Sequence, residues 1–283
     1  MKKILVPFDF SPASANAYRL ALSIARQAKG SVRLLHVVEF PSMPNTVLAP
    51  VRQMEEKLLN EFNSKLAPKI NAILKANPAK GVKTTVSIEI GSVTSRTLEH
   101  AARHDCDLII IGTHGRSAVR EPILGTNAGK ILRLSTVPVI IVKGPSTGKI
   151  RNIVFATDLQ TDDAADVVSK IKQLQRLLKA KLHVVYVNTP AHFETDVASL
   201  SKLEKFARRF KLSNCTFDVF NHNSLGEGVV EFAAWKKAEL VVMATHRRTG
   251  LAHILTGNKA EEVLNRITFP IWTCVVKQKI KSK

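Results

Sequence analysis

Apolar positions along the chain follow two patterns that alternate with each other. Short uninterrupted runs, such as Leu108–Ile111, are typical of strands buried on both faces, whereas spacings of three and four residues predict amphipathic helices. The strands predicted in the first half are Ile4–Phe8, Val32–Val38, Thr84–Ile90, Leu108–Ile111 and Val139–Val142. The predicted helices are Pro12–Lys29, with Gly30 as its end, Arg52–Lys75, Ser95–His104 and Thr126–Leu134. Parallel neighbours need long crossovers, so the alternation predicts an α/β fold with a doubly wound, parallel, five-stranded sheet.

The second half of the chain repeats the first. The offset between matching positions is 149 residues at the first strand and 132 at the fourth, as two matching pairs show: Asp9 with Asp158, and His114 with His246. The second copy has therefore lost 17 residues between its second and fourth strands. We predict two tandem domains, residues 1–143 (copy one) and 149–277 (copy two), which a Gly-, Pro- and Ser-containing linker joins.

Composition limits the class of protein. With 45% hydrophobic residues the 283-residue chain can build a real core, and no apolar run approaches the ~18 residues of a membrane span. Lys2 and Lys3 precede an apolar run that Asp9 soon interrupts, which favours a first strand over a signal peptide. Three scattered cysteines exclude a disulfide framework and a zinc cluster. A cytoplasmic protein without membrane contact is the expectation.

The net charge of +19 is spread over both copies and favours an anionic partner, or simply a solvated basic surface. Only 6% of the residues are aromatic, which disfavours a base-stacking platform for single-stranded nucleic acid.

The candidate ligand-binding residues of copy one follow the ends of its strands, because ligands of open α/β sheets bind beyond the carboxyl ends of the strands. Asp9 follows the first strand, and the fourth strand runs into the pattern Gly112-x2-Gly115-x9-Gly125-Thr126. Glycines let backbone approach a ligand, and a helix that starts at Thr126 offers free N–H groups to a phosphate. The alternative is that these glycines only end strands and begin helices.

Three segments together resemble the universal stress protein family in its tandem two-domain form. They are Val6-Pro7-Phe8-Asp9-Phe10-Ser11, Leu35-His36-Val37-Val38, and the glycine pattern that ends at Thr126, which matches the family's ATP-binding motif. The resemblance covers nearly the whole chain and implies a Rossmann-like fold of the kind found in adenine nucleotide alpha hydrolases.

The resemblance implies an adenine-nucleotide site in copy one, for ATP, ADP or AMP. Asp9 would bind the ribose or adenine end, Pro7 and Phe8 would flank it, and the backbone of Val37 would bind the adenine edge. The phosphates would be held by a set of loop and helix residues, with Mg²⁺ bridging phosphate oxygens. That set is Gly112, Gly115, Gly125, Thr126 and Asn127, with His114 orienting the loop.

Copy two departs from this pattern. Its sequence reads Ala244-x2-Arg247-x9-Gly257-Asn258, although Asp158 is retained. Arg247 and Arg248 could bind an anion by charge, or copy two could be a structural partner, which is the reading we favour. The family's last strand often mediates dimers, so Val139–Val142 and Ile271–Val276 are expected to pair as an intramolecular pseudo-dimer, which leaves a further homo-oligomer open.

Three functions follow from these patterns. The first is a cytoplasmic adenine-nucleotide-binding protein with a regulatory or stress-response role. The second is an enzyme on the same fold, a weak ATPase or a nucleotidyl transferase. The third is a basic structural or nucleic-acid-binding module. No motif supplies an activated nucleophile, so no catalytic residue is assigned and slow ATP hydrolysis is the most that we expect.

Overall fold

A computed structural model describes residues 1–39, 64–113, 126–145, 149–159, 164–246 and 269–276. The strands within these ranges are β1 (Lys3–Pro7), β2 (Ser31–Val38), β3 (Lys83–Ile90), β4 (Leu108–Gly112), β5 (Val139–Val142), β6 (Asn152–Ala156), β7 (Lys181–Asn188), β8 (Cys215–Asn221), β9 (Leu240–His246) and β10 (Ile271–Val276). The helices are α1 (Pro12–Ala28), α2 (residues 64–76), α3 (Val93–Arg103), α4 (Thr126–Leu134), α5 (Ala164–Leu178), α6 (Asp196–Phe210) and α7 (Leu225–Trp235), with a 3-10 turn at Pro190–His192.

The described strands form one sheet of ten in the order β3-β2-β1-β4-β5-β10-β9-β6-β7-β8. Each copy contributes five parallel strands in the same relative order, so the predicted fold class is confirmed. The two predicted sheets are, however, one continuous sheet. β5 and β10 pair antiparallel at the centre, with Ile141 opposite Ile271 and Ile140 opposite Trp272. This is the intramolecular pairing that the family resemblance led us to expect.

Strand registers locate the residues that copy two has lost. Ladder positions that match between the copies are Ile4 with Ile153, Val32 with Leu182, Thr84 with Cys215, and Leu108 with Leu240. The offset therefore drops between the second and third strands of the copies, from 150 to 131. The shortened connection is the one that holds α2 in copy one and α6 in copy two.

Helices cover both faces of the sheet, and the core continues across the junction between the copies. α1, α2, α5 and α6 pack on one face and α3, α4 and α7 on the other. Trp272 of β10 is fully buried on the first face, in the same cluster as residues of α1 and α5. No helix among the described residues is both long and apolar enough to cross a membrane.

The end of α1 differs from the prediction. Ser11 caps its start, since its Oγ accepts the N–H of Ser14 at 3.1 Å, and Pro12 occupies the first turn as expected. At the other end the left-handed residue is Lys29, with a φ of 49°, and not Gly30. Gly30 is needed for a different reason: a Cβ there would lie 2.2 Å from the carbonyl oxygen of Lys2. This glycine lets the chain return beside β1.

A carboxylate ties the start of the first strand to the fourth strand in both copies. In copy one, Oδ2 of Asp107 accepts the backbone N–H groups of Lys2 at 2.7 Å and Lys3 at 2.9 Å. In copy two, Oε2 of Glu239 accepts those of Arg151 and Asn152 at 3.1 and 2.7 Å. The repeat thus includes this polar contact as well as the apolar pattern.

Candidate functional site

The candidate site lies at the carboxyl edge of copy one, where the strand order changes direction. β1 has β2 on one side and β4 on the other, so the chain winds outward to β3 and then returns to the far side of β1. Such a switch point leaves a crevice beyond the strand ends. The predicted residues at this edge are Pro7, Phe8, Asp9, Val37, Gly112, Thr126 and Asn127. Of the remaining predicted residues, His114, Gly115 and Gly125 fall outside the described residues.

Asp9 is exposed and belongs to a tight turn between β1 and α1. Its Oδ1 accepts the backbone N–H of Ser11 at 3.0 Å, and Phe10 between them has a φ of 66°. Burial raises the pKa of Asp9, but hydrogen bonds with Ser11 and Ser14 outweigh that effect and hold it below 3.8. The turn therefore presents an exposed anion at neutral pH.

The backbone of Val37 faces the space beyond the end of β1. The C=O of Leu35 accepts the N–H of Phe8 at 2.8 Å, and the β1–β2 ladder ends where Pro7 lies opposite Leu35. Because backbone groups point to alternate sides along a strand, those of Val37 point the same way as those of Leu35. β1 has already turned into α1 at that level. A donor and an acceptor therefore face the crevice side by side.

Phe8 is part of the core, since it is only 5% exposed and packs edge-on against Phe10 and Tyr18. Because its ring is buried, only the backbone of Phe8 could flank a ligand as the sequence analysis predicted. The ring nearer the edge is that of Phe10, whose centroid lies 4.8 Å from the ring of His36. Nδ1 of His36 donates to the carbonyl oxygen of Phe8 at 2.7 Å.

Sequence reasoning gave no role to Phe10 or His36. Both line a small apolar cavity between the sheet and α2, together with Phe8, Leu34, Ile70, Ile73 and Val86. The sequence held one signal for the role of His36. The Leu35-His36 pair of the family pattern places a polar ring in an otherwise apolar strand.

Gly112 ends β4, but its missing side chain serves α1. A Cβ at this position would lie 2.1 Å from the carbonyl oxygen of Ala13 and 2.7 Å from the backbone nitrogen of Ser14. The sequence suggested that this glycine makes room for a ligand. The structure adds that it allows the first turn of α1 to pack directly against the end of β4, which draws the Asp9 turn close to that strand.

α4 begins at this edge with Thr126, which is exposed, and Asn127. Oδ1 of Asn127 accepts the hydroxyl of Thr94 in α3 at 3.4 Å, so its amide is held toward the neighbouring helix. The first N–H groups of a helix have no partners within the helix, and the helix dipole favours an anion there. Ala128 is buried and contributes packing.

Copy two keeps the turn but changes what surrounds it. Leu159, which corresponds to Phe10, has a φ of 62°, and its N–H donates to Oγ1 of Thr157 at 3.1 Å. Tyr186 stands where copy one has His36. Ala244, within β9, replaces Gly112, which ends β4. Arg247, Arg248, Gly257 and Asn258 lie outside the described residues.

The strand order and the switch-point edge define a doubly wound α/β protein with Rossmann-like topology. The family model for the universal stress protein family matches residues 1–143 and 216–274. The chain belongs to the universal stress protein family.

Individual relatives agree with this assignment. A universal stress protein of Synechocystis sp. is 24% identical and aligns over 96% of this chain and 99% of its own length. One of Bacillus subtilis is 28% identical over 50% of this chain and 98% of its own length, so it has the size of a single copy. The crystal structure of a universal stress protein from Archaeoglobus fulgidus superposes with a TM-score of 0.68 at 17% identity, covering 97% of this chain and 96% of that one. That similarity concerns the fold alone.

Proposed function

We propose that copy one binds an adenine nucleotide, ATP or its di- or monophosphate, at the switch-point edge. The observation that carries the proposal is the convergence there of three kinds of group. Asp9 offers an exposed carboxylate, Val37 a backbone donor and acceptor, and α4 an N-terminus. These groups match a ribose, the edge of an adenine ring and a phosphate, respectively.

Each part of the nucleotide has a defined partner in this proposal. The carboxylate of Asp9 accepts from the ribose hydroxyls, and the N–H and C=O of Val37 pair with the adenine edge. Thr126, Asn127 and the backbone at Gly112 hold the phosphates with Gly115 and Gly125, while His114 orients their loop. Mg²⁺ would be held through the phosphates and would supply positive charge beside them. The protein's own contribution is binding and orientation, and no residue is assigned a catalytic role.

Copy two acts as a structural partner in this proposal. It completes the sheet through the pairing of β10 with β5, while its sequence lacks the first two glycines of the phosphate motif. A binding protein without a catalytic group acts through the conformation or contacts that its ligand stabilises. We therefore propose a regulatory role in a cytoplasmic stress response.

The direct test is to extract purified protein with acid, identify any released nucleotide by chromatography, and titrate Mg²⁺–ATP by calorimetry.

Asp9→Asn should weaken ATP binding by about tenfold or more, because a charge-assisted hydrogen bond to the ribose is lost. The asparagine can still accept the N–H of Ser11, so the turn should survive. Asp158→Asn, the same change at the matching position of copy two, should leave the affinity unchanged. Equal losses in the two variants, or no ATP binding by the unaltered chain, would contradict the proposal.

A further inference from the structure

Lys143 immediately follows β5, at the same edge as the candidate site. Gly112 lies opposite Val142 in the β4–β5 ladder, and the N–H of Thr113 donates to the carbonyl oxygen of Val142 at 2.8 Å. Thr113 and Lys143, the next residue of each strand, are therefore neighbours at the carboxyl edge. Thr113 is an unspecified position of the Gly112-x2-Gly115 pattern, and Lys143 belongs to none of the motifs found in the sequence.

Both side chains belong to the face of the sheet that α4 covers. Ile111 of β4 and Ile141 of β5 are in the same core cluster as Ile131 of α4. Side chains two residues apart in a strand share a face, so Thr113 and Lys143 extend these two rows toward the edge. α4 starts at that edge with Thr126. The pair thus lies beside the proposed phosphate site.

The two groups lack partners in the part of the chain that the structure describes. Thr113 is 4% exposed, and its Oγ1 has no hydrogen-bond partner there. Lys143 is half-buried, and desolvation by burial lowers its pKa to about 8. No ion pair with a carboxylate of the described residues offsets that cost. Buried cations and hydroxyls are normally paired, and a ligand with anionic oxygens would satisfy both groups at once.

Copy two has a threonine at the position of Thr113 but no lysine at the position of Lys143. Ala244 pairs with Cys274 as Gly112 pairs with Val142, so Thr245 corresponds to Thr113, and Val275 corresponds to Lys143. The lysine therefore occurs in the copy whose sequence carries the glycine motif and is replaced by an apolar residue in the copy whose motif is lost. This is the distribution expected of a ligand contact and not of a shared structural residue.

We infer that Lys143, with the hydroxyl of Thr113 beside it, binds a phosphate group of the nucleotide in copy one. This inference rests on the proposed function for the identity of the nucleotide, and it names a cation that the glycine motif does not include. Lys143 directly follows β5, the strand that pairs with copy two, so the phosphate end of the ligand lies next to the junction of the two copies.

The test compares Lys143→Met with Lys130→Met in the full-length chain. Lys130 is an exposed lysine on α4, so its variant carries the same change of charge without the contact. Calorimetry with Mg²⁺–ATP should show at least about a tenfold loss of affinity for Lys143→Met and little change for Lys130→Met. Adenosine, which has no phosphate, should bind both variants as it binds the unaltered chain. The melting temperature of ligand-free Lys143→Met should stay level or rise, because the variant removes a desolvated charge.

The pH dependence of binding gives a second readout. Among the described residues, the strand registers place Gly112, Thr113 and Phe269 around Lys143. None of these residues is charged, so Lys143 is the titrating group among them. ATP affinity should fall as the pH rises from 7 through 9 in the unaltered chain. It should remain level in Lys143→Arg, whose guanidinium stays protonated.

The outcomes separate this inference from the proposed function. Unchanged ATP affinity in Lys143→Met, or an equal loss for ATP and adenosine, would overturn the inference and leave nucleotide binding intact. If the unaltered chain does not bind ATP, the proposed function fails, and inorganic tripolyphosphate becomes the probe. Tripolyphosphate binding that disappears in Lys143→Met would support an anion site at Lys143. Binding that is absent, or unaffected by the variant, would overturn the inference.

Discussion

In each copy, one bulky residue adopts a left-handed backbone conformation in the turn that follows the first strand. Phe10 and Leu159, at matching positions, have φ values of 66° and 62°. A bulky residue rarely adopts this conformation, because its Cβ crowds the following carbonyl. Its occurrence in both copies shows that the turn belongs to the shared framework and does not depend on the glycine motif. Asp9 and Asp158 directly precede these residues, so the turn fixes the backbone position from which each aspartate side chain extends.

Asp107 gives a pH-dependent prediction at the same scale. Burial raises the pKa of this carboxyl, but hydrogen bonds from the N–H groups of Lys3 and Lys2 outweigh that effect and hold the pKa below 3.8. A lowered pKa in the folded state stabilises the fold above the ordinary value, and this stabilisation is lost as the pH falls through the folded value. Because the side chain is 43% exposed, solvent screening limits the effect to about 1 kcal/mol or less.

Asp107→Asn should therefore melt at a lower temperature than the unaltered chain at pH 7, and the difference should vanish as the pH falls through the lowered pKa of Asp107 in the folded protein. Thermal unfolding across this pH range checks the expectation. Asp105→Asn is the matched control, because it removes the same charge from an exposed carboxylate whose ion pair with Lys3 measures 3.7 Å. A pH-independent difference for Asp107→Asn would show that its charge does not matter.

At the scale of elements, the approach of α1 to β4 shapes the candidate site. Gly112→Ala would place a Cβ 2.1 Å from the carbonyl oxygen of Ala13, which is backbone and cannot rotate away. We expect a loss of about 1–3 kcal/mol in the free energy of unfolding, as overpacked positions show. Gly144→Ala is the control, since no atom of the described residues lies within 4 Å of the Cβ that it would add.

Chemical denaturation of the two variants measures this difference. Gly144→Ala should remain within about 0.5 kcal/mol of the unaltered chain. If Gly112→Ala is equally stable, α1 can move away from β4 at no cost, and the close approach is not needed for the fold.

At the scale of the whole molecule, the antiparallel pairing of β5 and β10 joins ten strands into one sheet. Residues 1–147 expressed alone would leave β5 as an unpaired edge with the apolar residues Ile140 and Ile141. Such edges pair with other chains. The fragment should dimerise or aggregate, whereas the full-length chain at the same concentration should not associate through this strand. Size-exclusion chromatography with light scattering measures both. A monomeric, cooperatively folding fragment would show that copy one does not need its partner strand.

The sequence by itself predicted the strands and helices, their α/β class and the duplication, because these depend on local periodicity. α4 and β5 have the predicted bounds, whereas the ends of β1 and α1 differ by one residue. Periodicity reports which face of an element is buried and therefore says little about its last residue. The motif residues Asp9, Val37, Gly112 and Thr126 could be assigned to one edge because parallel strands end on the same side.

Tertiary structure decided the features that depend on registers between distant segments. It joined the two predicted sheets into one, assigned Gly112 to the packing of α1, and placed Phe8 in the core with Phe10 and His36 nearer the edge. It also brought Lys143 beside Thr113, two residues that are 30 positions apart in the sequence. Local patterns carry no information on such pairs, because the side chains become neighbours only when strand order and register bring them together.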